Sequence, residues 1–183
     1  MKLLNVPGNT GALKYWLSSF GTLDLINEVQ LEQLDRSDVL ILPGGNVGGL
    51  TASLVAGVRG AMDKGCRLFA VCGSFQSLFM ETDEDLHHSC LQLFSGRAFK
   101  LNHPRIGRFE IESEWFSGMP YFNQVFGVIQ EYPFNDNHIS ISINDLTKIC
   151  VAVRTEQILG VQFHPELSMG TFDKAFRKWI DVN

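Results

Sequence analysis

No apolar run in this sequence approaches the roughly 20 residues a bilayer-spanning helix needs. The opening Met1-Lys2-Leu3-Leu4-Asn5-Val6-Pro7-Gly8 is too briefly apolar for a secretory leader. The expectation is a chain with no membrane segment, placed in the cytoplasm. Cysteine is scarce. The four present, Cys66, Cys72, Cys90 and Cys150, show no CxxC and no tight framework spacing, which favours reduced thiols over disulfides. Charge is also thin, at 19% of residues, and the net −5 argues against nucleic acid or an anionic membrane as the main partner. Repeats, linkers and low-complexity stretches are missing too. A chain of 183 residues that is 45% hydrophobic then reads as one domain, 1–183, able to bury its own core.

The apolar runs carry the fold. Leu3–Val6 reads as a short strand ending in Pro7-Gly8-Asn9. After Thr10, Ala12, Leu13, Trp16 and Leu17 make a helical face that Gly21 stops. Leu23–Val29 reads as a second strand and Asp38–Leu42 as a buried one. The latter ends in Pro43-Gly44-Gly45-Asn46-Val47-Gly48-Gly49, a backbone that can approach a ligand closely. Leu50–Lys64 is expected to be helical, closed by Gly65, and Leu68–Val71 to be a further buried strand. Strands alternating with helices predict an α/β fold of the flavodoxin-like type, a mostly parallel sheet with helices on both faces. Functional loops belong at the carboxyl ends of its strands.

The second half differs. Gly96–Leu101, Gly107–Glu112, Asn123–Tyr132 and His138–Ile143 are short extended segments split by Pro104, Pro120, Pro133 and Asn-Asp-Asn. They predict hairpin strands, an antiparallel extension at one edge of the sheet. Ile149–Arg154 and Ile158–Phe163 read as two more strands. Thr171–Val182 reads as a terminal helix burying Phe172, Ala175, Phe176 and Trp179.

One junction stands out chemically. Leu68–Val71 ends at Cys72-Gly73-Ser74, and a helical pattern follows at once with Phe75, Leu78 and Phe79. A cysteine on so sharp a strand-to-helix turn has its sulfur held clear of the backbone, as in a nucleophile elbow. An isolated cysteine at the end of a core strand is more often buried and inert. A working thiol nucleophile also needs a base, donors for an oxyanion and a group to orient the base. His87 and His88 sit in a polar, solvated stretch, and His103 and His138 lie in loop-like contexts. His164 comes directly off an apolar strand, and Glu166 follows across Pro165, whose fixed φ helps hold the pair.

These motifs together resemble the class I (triad) glutamine amidotransferases. Ala70-Val71-Cys72-Gly73-Ser74-Phe75-Gln76 is similar to that family's nucleophile motif, and Gly160-Val161-Gln162-Phe163-His164-Pro165-Glu166 to its terminal one. Weaker echoes extend over nearly the whole chain: Gly8-Asn9, Leu40-Ile41-Leu42-Pro43-Gly44, Leu78-Phe79-Met80-Glu81, Leu93-Phe94-Ser95-Gly96-Arg97 and Pro104-Arg105-Ile106-Gly107. Within the family they most resemble the glutaminase subunit of imidazole glycerol phosphate synthase, in histidine biosynthesis.

The resemblance implies that Cys72 attacks the side-chain amide of glutamine, with His164 as base and acid and Glu166 orienting it. The N–H of Gly73 and one from the Gly44-Gly45 loop would hold the oxyanion, and Gln76 would lie on the substrate side. Neither a metal nor an organic cofactor is implied. Ammonia would pass to a (β/α)8 synthase partner in a heterodimer. The chain departs from the family pattern at Ala70 and Ser74, which replace glycines, at Gly44-Gly45-Asn46, at Arg108 in place of a tryptophan, and at Gln130-Glu131-Tyr132. These departures leave open a paralogue serving another synthase, one aminating a surface sugar or a vitamin precursor. They also leave open a scaffold without activity. A cysteine peptidase on a similar sheet is disfavoured by the His-Pro-Glu ending.

Overall fold

The computed structural model describes residues 1–5, 10–45, 50–83, 89–129, 138–142 (as backbone) and 148–181. The Pro7-Gly8-Asn9 turn, Asn46 to Gly49, His87, His88 and Gln130-Glu131-Tyr132 lie outside the described residues.

Among the described residues, ten strands form one sheet. Its parallel part is β1 (Lys2–Leu4), β2 (Asp24–Ile26), β3 (Val39–Leu42), β4 (Arg67–Val71) and β12 (Ile158–Val161), in the order β2-β1-β3-β4-β12. Every residue of β3 and β12 is buried, and so is β4 after Arg67. That is why their sequences read as unbroken apolar runs: a central parallel strand is covered on both faces. Leu68 and Ala70 of β4 face one core, with Leu54, Val55, Val58 and Ala61 of helix α2 (Ala52–Asp63). Phe69 and Val71 face the other, with Leu13, Trp16 and Leu17 of α1 (Gly11–Ser18) and with Phe176 and Trp179 of α4 (Asp173–Ile180). Thr51 caps α2 by accepting the Leu54 N–H. Trp16 Nε1 donates to Asp173 Oδ1 at 2.8 Å, tying α1 to α4. No helix among the described residues is long and apolar enough to cross a membrane.

The antiparallel extension is present. Next to β12 come β11 (Lys148–Arg154), β9 (Tyr121–Ile129) and β6 (Arg97–Arg108), with β5 (Glu81–Thr82) beyond and β10 (His138–Ser142) on β11. A separate hairpin pairs β7 (Ile111–Glu112) with β8 (Ser117–Gly118).

Several expectations are corrected. Pro104 does not split a strand; β6 runs through it, and the pairing with β9 shifts register between Lys100 and Arg105. Proline lacks the N–H a ladder needs and is tolerated at such irregularities. His103 and His138 therefore lie in strands rather than loops. Only Asp24–Ile26 of Leu23–Val29 is strand, and Glu28–Gln33 forms a 3-10 helix whose capping box joins Asn27 and Gln30. Ala12 is exposed, outside the buried face of α1. The helix after Cys72 is a single turn, α3 (Gly73–Gln76), because the chain behind it takes its carbonyls: Leu91 N–H donates to Ser77, and Leu93 and Phe94 to Leu78.

Gly160 shows how tightly α3 is seated. A Cβ there would lie 2.6 Å from Leu78 Cδ1, 2.9 Å from Phe75 Cδ2 and 3.1 Å from Val153 Cγ2. Gly160→Ala is expected to lower unfolding free energy by about 1–3 kcal/mol, as overpacking does. A urea titration with an unchanged midpoint would show that Phe75 and Leu78 yield freely.

Candidate active site

Three neighbouring strands bring the site together. In β3-β4-β12, Leu42 pairs with Ala70 and Val71 with Val161, so all three chains leave the sheet at one level. β3 leads into Pro43-Gly44-Gly45, β4 into Cys72, and β12 into Gln162-Phe163-His164. Residues far apart in sequence meet because parallel strands share a carboxyl edge.

Cys72 holds φ 52° and ψ −113°, left-handed backbone that an L side chain rarely adopts. Such a conformation costs on the order of 1–3 kcal/mol. Cys72 N–H donates to Val161 O at 2.8 Å, its carbonyl accepts from Gln76 N–H at 3.3 Å, and the Ser74 hydroxyl donates to Pro43 O at 2.7 Å. Ser74, one of the departures from the family pattern, thus ties α3 to the loop after β3. Neither it nor Ala70 has positive φ, so the absence of glycine there imposes no backbone strain. The Gly73 N–H, first in its helix, has no intrahelical acceptor. Gly44 leaves room for the sulfur's neighbourhood: a Cβ there would sit 3.1 Å from Cys72 Cβ and 3.5 Å from His164 Cε1. The same pair of distances places cysteine and imidazole side by side over one glycine.

His164 bridges to β9, its N–H donating to Tyr121 O at 2.8 Å. Its Nδ1 lies 2.9 Å from Glu166 Oε1, and Glu166, with Pro165, forms a 3-10 turn (Pro165–Leu167). Both side chains are largely buried, 17% and 9% exposed. Burial works against a charged imidazole. The hydrogen bonds to Cys72 and Glu166, with the attraction of both groups, outweigh it and raise the His164 pKa to about 10. Imidazolium is then its resting form at neutral pH. The other cysteines lie outside this cleft. Burial pushes the Cys66 thiol up to about 11 and raises those of Cys90 and Cys150, which makes them poor nucleophiles.

Cys72 and His164 open on a cleft of about 350 Å³ lined also by Gly45, Gly73, Gln76, Asn123, Val125 and Phe126. A larger one, about 620 Å³, lies between α2 and the 3-10 helix, lined by Glu28, Glu32, Ser53 and Lys64, and includes neither Cys72 nor His164. The sequence reading missed Asn123, Val125 and Phe126, which arrive through the β6–β9 pairing. It also gave no role to Gln162, fully buried with Nε2 3.9 Å from Cys72 Sγ. A polar residue inside the apolar run Leu159–Phe163 was the signal for it. Arg108 points to the same region: its guanidinium donates to Leu167 O at 2.8 Å and Met119 O at 3.2 Å.

Residues 19–180 match the glutamine amidotransferase class-I family model. The chain is similar to the imidazole glycerol phosphate synthase subunit HisH of Pyrococcus furiosus, with 27% identity over 88% of this chain and 87% of the relative. Among solved structures, a crystal structure of a glutamine amidotransferase superposes with a TM-score of 0.70 at 19% identity, over 98% of this chain and 95% of that one. A putative GMP synthase protein from Thermoplasma acidophilum gives 0.65 at 20% identity, over 98% and 92%. With the matched family model spanning residues 19–180, from just after α1 to the end of α4, this protein belongs to the class I glutamine amidotransferase family and is a glutamine amidotransferase.

Proposed function

We propose that the protein hydrolyses glutamine through Cys72, His164 and Glu166 and delivers the ammonia to a synthase partner. The observation that carries this reading is the juxtaposition of a strained cysteine and a carboxylate-held histidine over Gly44. The Cys72 thiolate attacks the side-chain amide carbon, and the oxyanion takes N–H donors from Gly73 and the Gly44-Gly45 loop. The His164 imidazolium gives its proton to the departing nitrogen, so ammonia leaves and a γ-glutamyl thioester remains. Neutral His164 then takes a proton from water as that water attacks the thioester. Glutamate departs and the thiolate–imidazolium pair is restored. Glu166 keeps the ring oriented and favours its charged form. Gln76, in the same cleft, contacts the substrate.

For the destination of the ammonia, the similarity to HisH supports a heterodimer with the (β/α)8 synthase subunit of imidazole glycerol phosphate synthase. A second reading, a paralogue feeding another synthase, is supported by Arg108, which takes the place of the family's tryptophan and is bonded to Leu167 and Met119. Co-purification from the native cell with mass spectrometry separates the two.

Cys72→Ala is expected to reduce glutamate release to background, and His164→Asn by about 10²–10⁴-fold. Full activity in Cys72→Ala would refute the mechanism. Glutamate release by the isolated chain is expected to be low and to rise when partner and acceptor are added. Vigorous partner-free turnover would argue against a coupled subunit.

Folding raises the His164 pKa, so the stability this group contributes is complete below the unfolded value of about 6.5. It is lost as pH rises through about 10. Between these values the folded chain holds the extra proton, and stability falls by at most about 1.4 kcal/mol per pH unit from this group. Urea titrations from about pH 7 to 9.5 should show a shallower fall in His164→Asn than in wild type; parallel curves would contradict the raised value.

A further inference from the structure

Two buried amides link the cleft to the reactive sulfur. Gln162 is 0% exposed and Gln76 3%. Gln76 Nε2 donates to Gln162 Oε1 at 3.2 Å, and Gln162 Nε2 donates to Cys72 Sγ at 3.9 Å. The Oε1 of Gln76 has no hydrogen-bond partner among the described residues although it is buried and its residue lines the cleft. A buried amide placed in an otherwise apolar strand end is costly unless its groups are used. Here the donation runs in one direction, from Gln76 through Gln162 to sulfur. The reverse orientation would set a carbonyl oxygen against the sulfur, lone pair facing lone pair.

We propose that Gln162 is a hydrogen-bond donor to the Cys72 thiolate, and that Gln76 fixes the direction of that donation. The proposal rests on the reading of Cys72 as nucleophile given above. The sulfur then receives two donors from the loop after β12: His164, with Glu166 behind it, and Gln162, the first residue past the strand. His164 is the titratable group that faces the sulfur among the described residues of the cleft; Gln76 and Asn123 are uncharged. A neutral donor stabilises a thiolate without competing for its proton, so Gln162 does its work whether or not His164 is charged. Gln76 Oε1, the acceptor end of the relay, is itself buried, in a residue that lines the cleft.

The test is the pH dependence of iodoacetamide alkylation at Cys72, followed by peptide mass spectrometry in a Cys90→Ser background. Gln162→Met, which keeps volume but removes the donor, should raise the pH of half-maximal alkylation by about 0.5–1 unit and slow alkylation at pH 7 by about 3- to 10-fold. The plateau rate at high pH should stay within about twofold, since the thiolate itself is unaltered. Gln162→Glu should shift the midpoint further, by placing an acceptor against the sulfur. Gln76→Met should shift it less and in the same direction. Gln76→Met leaves β12 untouched, so it decides the matter if Gln162 variants fail to fold. Midpoints coinciding with wild type would overturn the proposal, as would a lowered plateau with no change in midpoint, the mark of a purely structural role. Glutamine hydrolysis is not read, so retained activity in Cys72→Ala would remove the functional reading while this profile still reports on the amide relay.

Discussion

The site depends on keeping one non-glycine residue in left-handed backbone. Cys72 at φ 52° is unfavourable by itself, and the fold over-determines it. The strand before it is locked between β3 and β12, and the single turn after it is pressed onto Gly160 by Phe75 and Leu78. The Ser74 hydroxyl closes the third side on Pro43 O. Each of these contacts opposes relaxation of the turn toward an ordinary strand end. The small residues around it follow from this crowding rather than from a need for flexibility. Gly44 and Gly160 leave space that a Cβ would fill, whereas Ala70 and Ser74 have ordinary φ and tolerate a side chain.

Electrostatics builds on that frame. Burying a carboxylate and an imidazole costs both of them hydration, and a lone buried charge would neutralise itself. Glu166 and His164 avoid this by meeting at 2.9 Å, and the imidazole meets Cys72 on its other side. Glu166 Oε2 is buried without a hydrogen-bond partner among the described residues, so there the carboxylate is only half satisfied. Such a carboxylate benefits strongly from a positive imidazole. This accounts for a histidine whose pKa rises although burial alone would lower it.

The parallel half of the fold was legible because its physics is local to each strand. Leu40 to Leu42 and Leu68 to Val71 are apolar at every position since both faces are covered, and no other element explains so short a run. Cys72 and His164 were legible as candidates because each follows such a run directly, and Glu166 because it stands two residues beyond His164. What sequence could not supply depends on pairing between distant segments. Phe75, Leu78 and Phe79 have helical spacing, yet the helix stops at Gln76 because residues 91–94 claim the carbonyls that follow. Pro104 looked like a break because proline lacks a donor, but β6 absorbs it with a register shift. Asn123, Val125 and Phe126 enter the cleft only because β9 sits beside β11 and β6.

That last dependence gives the antiparallel extension a mechanical place in the site. His164 is held by Glu166 through its ring and by β9 through its backbone, where its N–H meets Tyr121 O. Ser168, fully buried, binds both partners: its hydroxyl donates to His164 O at 2.5 Å and accepts the Tyr121 N–H at 3.0 Å. Arg108, at the end of β6, reaches Leu167 O one residue past Glu166. The 3-10 turn that carries the carboxylate is therefore hydrogen-bonded at both ends to the β6–β9 ribbon, while it also packs on α1. Cys72 and His164 are thus held by different elements, joined where β12 runs on into the histidine loop. The ribbon's hydrogen bonds to His164 and Leu167 therefore bear on where the imidazole sits beside the sulfur, as Glu166 bears on how its ring is turned.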